Sequence, residues 1–265
     1  MPETAELTRE LVPTEPEPNL EPDVPSVSLG ADPELALIGQ HGFAVSATTY
    51  IEDRDLQARV GVDGAGTPAE LRPGVALTPI GLAAKCRSAL VEMKTILRPG
   101  LQDRQILKVQ AGSYARNSVA LGGHVHVGGV PDSASMDFTN WADRLALTWY
   151  RRVESPAAIS RRRSRGYGQD GDCRRQPHGW EYRALGSWLC HPQVAVAAIS
   201  LVKLAATLSL EGVCYPASGW ATTISKLRER DRIPKDCLTG TQIAERLFAT
   251  GPFDLSGDVF KAWGI

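Results

Sequence analysis

No two cysteines in this chain are spaced as C-x-x-C. Cys86, Cys173, Cys190, Cys214 and Cys237 are odd in number and far apart, which argues against both a zinc ribbon and a disulfide framework. Net charge is almost absent: 29 Lys plus Arg stand against 30 Asp plus Glu, a formal charge of -1. No molecule-wide field therefore gathers nucleic acid or anionic lipid, and any charge-driven contact is local. A clean apolar run is missing too. The longest, residues 194–210, is interrupted by Ser200, Lys203, Thr207 and Ser209; it is too short and too polar for a conventional membrane span and reads as a buried helix. The amino terminus shows no basic stretch followed by an apolar one, so no secretory signal is expected and the cytoplasm is the default compartment. There is no internal repeat.

What is present is enough for a sizeable core: 265 residues, 43% of them hydrophobic and 22% charged, suit one large domain or two small ones. Residues 1–29 carry six prolines among seven acidic residues. Such a composition buries too little apolar surface to offset its conformational entropy and predicts a disordered tail, with the folded domain over residues 30–265. Strand-length apolar runs follow at residues 35–38, 42–47, 106–111, 119–127 and 180–185. Helical patterns lie at residues 79–97, 141–153, 192–210 and 241–249, the first with Pro79 suited to its opening turn and Arg98-Pro99-Gly100 ending it. The elements alternate without a regular βαβ rhythm, which predicts an α+β fold.

Residues two apart on a strand face the same way. That rule picks out four polar pairs inside apolar, strand-like segments: Asp32 and Glu34, Glu70 and Arg72, His124 and His126, and Glu181 and Arg183. Taken singly, each has an ordinary reading. A Glu-x-Arg is commonly a surface ion pair stabilising by ~0–1 kcal/mol, a Gly-flanked His-x-His is a metal site or a packed strand, and Asp32-Pro33 is a turn opening a strand. Taken together, on one sheet, they bring several carboxylates to one face. Two unit charges 4 Å apart repel by ~4 kcal/mol at an effective dielectric near 20, so such a face calls for a cation. Carboxylates with one or two imidazoles and no thiolate suit Mg²⁺ or Mn²⁺ better than zinc. The arginines add planar forks for phosphate or carboxylate.

A second feature is the basic run Arg161-Arg162-Arg163-Ser164-Arg165, followed by Gly166-Tyr167-Gly168 and, further on, Arg174 and Arg175. Its glycines and lack of apolar periodicity predict a mobile loop, either solvated, touching RNA, or closing over phosphates.

The order of four motifs resembles the glutamine synthetase and glutamate–cysteine ligase-like superfamily, and within it the phage-type COOH–NH2 ligases (type 2 amidoligases). They are Gly30-Ala31-Asp32-Pro33-Glu34-Leu35, then Gly61-Val62-Asp63-Gly64-Ala65-Gly66 leading to Glu70-Leu71-Arg72-Pro73, then Gly123-His124-Val125-His126-Val127-Gly128, and His178-Gly179-Trp180-Glu181-Tyr182-Arg183. The resemblance implies a curved antiparallel sheet with flanking helices. It implies metal ligation by Glu34, Glu70, His124 and Glu181, with Asp32 as a further ligand. It sets His126 toward the phosphates of ATP, Arg183, Arg174 and Arg165 around the transferred phosphoryl group, and Arg72 on the substrate carboxylate. The activity implied is ATP- and Mg²⁺- (or Mn²⁺-) dependent joining of a carboxylate to an amine through an acyl phosphate. The substrates would be small molecules or peptides in the cytoplasm of a bacterium or phage-infected cell, with no membrane or nucleic-acid partner. Two rivals from other classes are a metal-dependent hydrolase built on His124-x-His126 and a non-catalytic RNA- or protein-binding module using the arginine run.

Overall fold

The computed structural model describes residues 27–52, 58–64, 66–115, 119–213 and 218–265. Eleven short strands are present among them: β1 (Ser28–Ala31), β2 (Glu34–Gly39), β3 (Ala44–Val45), β4 (Val60–Val62), β5 (Ala69–Leu71), β6 (Ile106–Gln110), β7 (Tyr114–Ala115), β8 (Val119–Ala120), β9 (Val125–Gly128), β10 (Cys173–Gln176) and β11 (Gly179–Tyr182). Every pairing between them is antiparallel, and the mixture with helices makes the fold α+β. The strands form two main sheets. One has the order β1-β9-β11-β10; the other runs β3-β2-β5-β4, with β6 also paired to β2. The two are joined covalently by the dipeptide Asp32-Pro33, between β1 and β2.

That joint corrects one expectation. Asp32 and Glu34 do not share a strand: proline lacks the N–H a ladder needs, and the chain passes from one sheet to the other there. The run 119–127 is likewise two strands, β8 and β9, separated by Leu121-Gly122-Gly123-His124.

The helices are α1 (Pro79–Ile96), α2 (Arg98–Gln102), α3 (Ser135–Ala142), α4 (Thr148–Val153), α5 (Pro156–Ser164), α6 (Pro192–Leu210), α7 (Trp220–Glu229), α8 (Leu238–Thr250) and α9 (Val259–Ala262), with a π-helical stretch, Asp143–Leu147, making α3 and α4 continuous. Pro79 opens α1, and the Thr78 hydroxyl accepts the Gly81 N–H at 3.1 Å, capping its first turn. Helix α6 is buried from Val194 through Ser209. By length and composition it is apolar enough to cross a membrane, but here it forms the centre of the helical layer, packed against α8, α3 and α1. Gly240 of α8 lets that helix approach closely, since a Cβ there would lie 1.9 Å from Ser200 Oγ.

The arginine run is not a loop. Arg161, Arg162 and Arg163 form the last turn of α5, and Arg162 is 3% exposed. The loop expectation failed because three adjacent arginines mask which one the helix turns inward.

The domain also begins earlier than Gly30. Val27 and Leu29 are buried, and Leu29 exchanges main-chain hydrogen bonds with Ala76 at 2.8 and 2.9 Å; residues 1–26 lie outside the described residues. Each fully buried Val or Leu stabilises by ~1.5–3 kcal/mol. A chain starting at Gly30 is therefore expected to be roughly 3 kcal/mol less stable than one starting at Val27. Urea unfolding of the two truncations measures this, and equal midpoints would place these residues outside the core.

Candidate active site

Strand register sets the site. In the first sheet Gly30 pairs with His126, His126 with Glu181, and Glu181 with Arg174, so these four form one row across β1, β9, β11 and β10 on a common face. Gly30 leaves room for the imidazole, because a Cβ there would touch His126 Cβ at 3.4 Å. In the second sheet Glu34 pairs with Glu70, and Glu70 with Gly61. The Arg72 guanidinium lies over Gly61, 2.6 Å from where a Cβ would stand. Like charges directly opposite on paired strands are destabilising, and Glu34 facing Glu70 is a cost that folding alone does not explain.

Asp32, at the joint of the sheets, brings the two rows together. Its Oδ1 is 3.1 Å from His124 Nδ1 and its Oδ2 is 3.2 Å from His126 Nε2. Glu181, 0% exposed, holds its Oε2 against Arg174 Nε and Nη2 at 2.8 and 2.7 Å and also accepts from Gln176. Its Oε1 faces His124 Nδ1 at 3.5 Å and Arg183 Nε at 3.2 Å. Glu34 is anchored from both ends: its N–H donates to Gly122 O at 2.9 Å, and its Oε2 accepts the Gly122 N–H at 2.8 Å. Glu70 accepts from Arg72 Nε at 2.7 Å.

Charge in the site follows from burial. Desolvation raises the Glu34 carboxyl despite the Gly122 N–H. It pushes Glu70 up to about 7, with Asp32 and Asp63 adding to the rise against the pull of Arg72. Asp32 is the exception: burial would raise it, but the two adjacent imidazoles hold it well below the usual carboxylate range. His124 shows the reciprocal effect, raised by Asp32, Glu34 and Glu181 against the desolvation that would lower it. Several acids thus compete for too little positive charge.

Asp32, His124 and Glu181 offer ligand atoms that all lie within 4.8 Å of one another. Asp32 Oδ1 and Glu181 Oε1 are buried and make no hydrogen bond of acceptable geometry. Two buried acceptors without donors, beside an imidazole nitrogen, fit a divalent cation. The donor set, oxygen-rich and free of thiolate, suits Mg²⁺ or Mn²⁺.

Two cavities meet at Asp32 and Glu70. The first, about 620 Å³, is lined by the acids Asp32, Glu34, Asp63 and Glu70 with His124, and by Arg162, Arg165, Arg174, Arg183 and Tyr167. The second, about 460 Å³, lies between β1 and the Arg72–Val75 turn and is lined by Arg72, His126 and His178. His126 Nδ1 and His178 Nε2 are 2.8 Å apart. All ten candidate residues fall in this one region: nine of them line the cavities, and Glu181 is buried against His124, Arg174 and Arg183. Arg165, Arg174 and Arg183 line the first; Arg72 and His126 line the second.

Four contributors were not among the candidates. Asp63 sits in a quoted motif without a role assigned to it. Gln176 is signalled by nothing but its place two residues after Arg174. His178 opens the fourth motif and contacts His126. Arg162 is indistinguishable in sequence from its neighbours.

Over residues 29–213 the sequence matches the family described as Phage phiEco32-like COOH.NH2 ligase-type 2. The chain belongs to this family. Every residue named in the two cavities lies inside the matched region. Two solved structures are similar to it. One, described as a novel glutamine synthase homolog, has 13% identity and a TM-score of 0.44, with 84% of this chain and 66% of that chain covered. The other, apo GmaS without ligand, has 13% identity and a TM-score of 0.42, with 84% and 68% covered. The chain thus spans just under two thirds of the first of these. Among curated proteins none matches the ligase sequence.

Proposed function

We propose that this chain joins a carboxylate to an amine at the expense of ATP and a divalent cation, by way of an acyl phosphate. The observation that carries the reading is the convergence of Asp32, His124 and Glu181 within 4.8 Å beside a cavity that Arg165, Arg174 and Arg183 also line. Metal ligands beside arginines are what a polyphosphate needs.

A carboxylate resists amines because its carbon is electron-rich and oxide is a poor leaving group. Transfer of the γ-phosphoryl group to a carboxylate oxygen, with ADP leaving, makes an acyl phosphate whose carbon accepts the amine's electron pair. Phosphate then departs with the C–O bonding pair, and the amine loses a proton. Asp32, His124 and Glu181, joined by Glu34 and Glu70, would hold Mg²⁺ or Mn²⁺, which when bound supplies positive charge to the phosphoryl oxygens. Arg174 and Arg183 are fixed by Glu181 and present a preorganised charge to the moving group, and Arg165 stands at the rim. We assign the second cavity to the carboxylate substrate, with Arg72 and His126 at its wall. This moves His126 from the nucleotide side to the substrate side of Asp32. On this reading the reaction takes place in the cytoplasm, where ATP is supplied.

The test supplies the protein with ATP, Mg²⁺, a pool of amino acids and short peptides, and hydroxylamine as a general amine. Expected are ADP release and hydroxamate formation that require both Mg²⁺ and a carboxylate. Cleavage of amides or esters with a cation but no ATP would replace this reading with the hydrolase. Nucleic-acid binding without nucleotide turnover would replace it with the binding module.

A further inference from the structure

The end of α5 carries a guanidinium that solvent scarcely reaches, with no carboxylate within 4.0 Å of it among the described residues. Arg162 Nε donates to Leu121 O at 3.0 Å, Nη1 to Ala184 O at 2.8 Å and Nη2 to Arg183 O at 3.2 Å. The nearest acids, Glu34, Asp172 and Glu154, act on it only at longer range. Beyond these carbonyls it has the Tyr167 ring, 6.0 Å away; burying a cation with no carboxylate beside it is expensive, so its placement has to be accounted for by what those carbonyls hold.

Each belongs to a segment that carries the site. Leu121 precedes Gly122, whose main chain grips Glu34 at both ends, and stands three residues before His124. Arg183 and Ala184 come two and three residues after Glu181, and Arg183 lines the first cavity. The two segments also touch each other: Gly123 N–H donates to Leu185 O at 3.0 Å, and Gly122 bridges to Gly186. They approach so closely that a Cβ on Gly123 would lie 2.2 Å from Gly186 O. Main chain packed that tightly without side chains has little to stop it from splaying. Arg162 spans the seam from behind, one planar fork on both segments.

We propose that Arg162 is a positioning residue: it clamps the Leu121 and Arg183–Ala184 carbonyls and so holds Glu34, His124 and Glu181 at the separations that make a cation site. The proposal rests on the metal reading given above. Neither neighbour can substitute, since Arg161 and Arg163 are exposed. Lysine cannot substitute either, because one ammonium nitrogen does not span the carbonyls that three guanidinium nitrogens reach.

The test compares the full chain with Arg162→Lys, and with Arg161→Lys and Arg163→Lys as controls, by hydrogen exchange and by Mn²⁺ titration followed by electron paramagnetic resonance. In Arg162→Lys the Gly122 and Gly123 amides are expected to exchange at least ten times faster while α6 and α8 stay protected. Mn²⁺ affinity should fall about 10- to 100-fold, the usual cost of losing a group that orients metal ligands. The controls should change neither. Unaltered exchange at Gly122 and Gly123 overturns the proposal, as does loss of protection throughout the fold, which would make Arg162 merely structural. Should Arg162→Lys not fold, Arg162→Ala with added guanidinium takes its place, and failure of guanidinium to restore protection at Gly122 overturns the proposal. A wild-type chain that binds no Mn²⁺ sinks the metal reading separately, and exchange alone then decides whether the clamp exists.

Discussion

Glu181→Gln is expected to weaken Mn²⁺ binding by about 10²-fold or more and to abolish ligation. The side chain keeps its volume and its Oε1-side atom stays near His124, but the charge is gone. Removing one member of a buried, hydrogen-bonded charge set costs ~2–5 kcal/mol, and each 1.4 kcal/mol is a factor of ten. The geometry sharpens the expectation. Oε2 is already taken by Arg174 and Gln176, so the carboxylate faces His124 and Asp32 with Oε1 only. An amide there turns either an NH₂ toward the cation or its oxygen, at the cost of an NH₂ against Arg174. Calorimetry with Mn²⁺ and then with Mg²⁺–ATP measures the loss. Wild-type affinity in the variant would remove Glu181 from the ligand set.

Arg183→Lys is expected to behave differently: Mg²⁺–ATP binding within a few-fold of wild type, and ligation lowered by ~10²-fold, the scale of one lost preorganised donor. Arg183 stands 3.2 Å from Glu181 Oε1 through Nε while its side chain lines the first cavity. Lysine keeps the charge and loses the fork. Its backbone is held independently, the Arg183 N–H donating to Asp172 O at 2.8 Å and its carbonyl accepting from Arg162, so the substitution tests the side chain rather than the strand. Binding and turnover falling in equal proportion would show that Arg183 acts on the ground state.

The residues of the site were legible because a strand's period of two is strict. The alternation carries one residue past the strand ends: Arg72, just after β5, hydrogen-bonds Glu70, and His124, just before β9, meets Asp32 as His126 does. Helices α1 and α6 were legible for a related reason, Pro79 and Pro192 marking their first turns and recurring apolar residues their lengths. What alternation does not reveal is which strands are neighbours. The separation into two sheets at Asp32-Pro33, the pairing of Glu34 with Glu70, and the second cavity all depend on register between segments far apart in the chain. Arg162 was hidden for the opposite reason: in a run of like residues, periodicity carries no contrast. Helix α7 was missed as well; Trp220, Thr223, Ile224 and Leu227 give it a buried stripe, but its mean hydropathy is low and no proline announces it.

The joint at Asp32 has a consequence for how the protein comes into being. Its carboxylate leaves the ribosome early, His124 much later, and Glu181 only after two thirds of the chain has been made, and contacts between such distant segments form late and together. A nascent or truncated chain ending before β11 lacks not one ligand among many but a whole wall of the cation site, since Glu181 and Arg183 travel together. On the proposed reading, metal capture would be reserved for chains that have closed both sheets, so that the charged cluster is assembled only when a scaffold already exists to bear it.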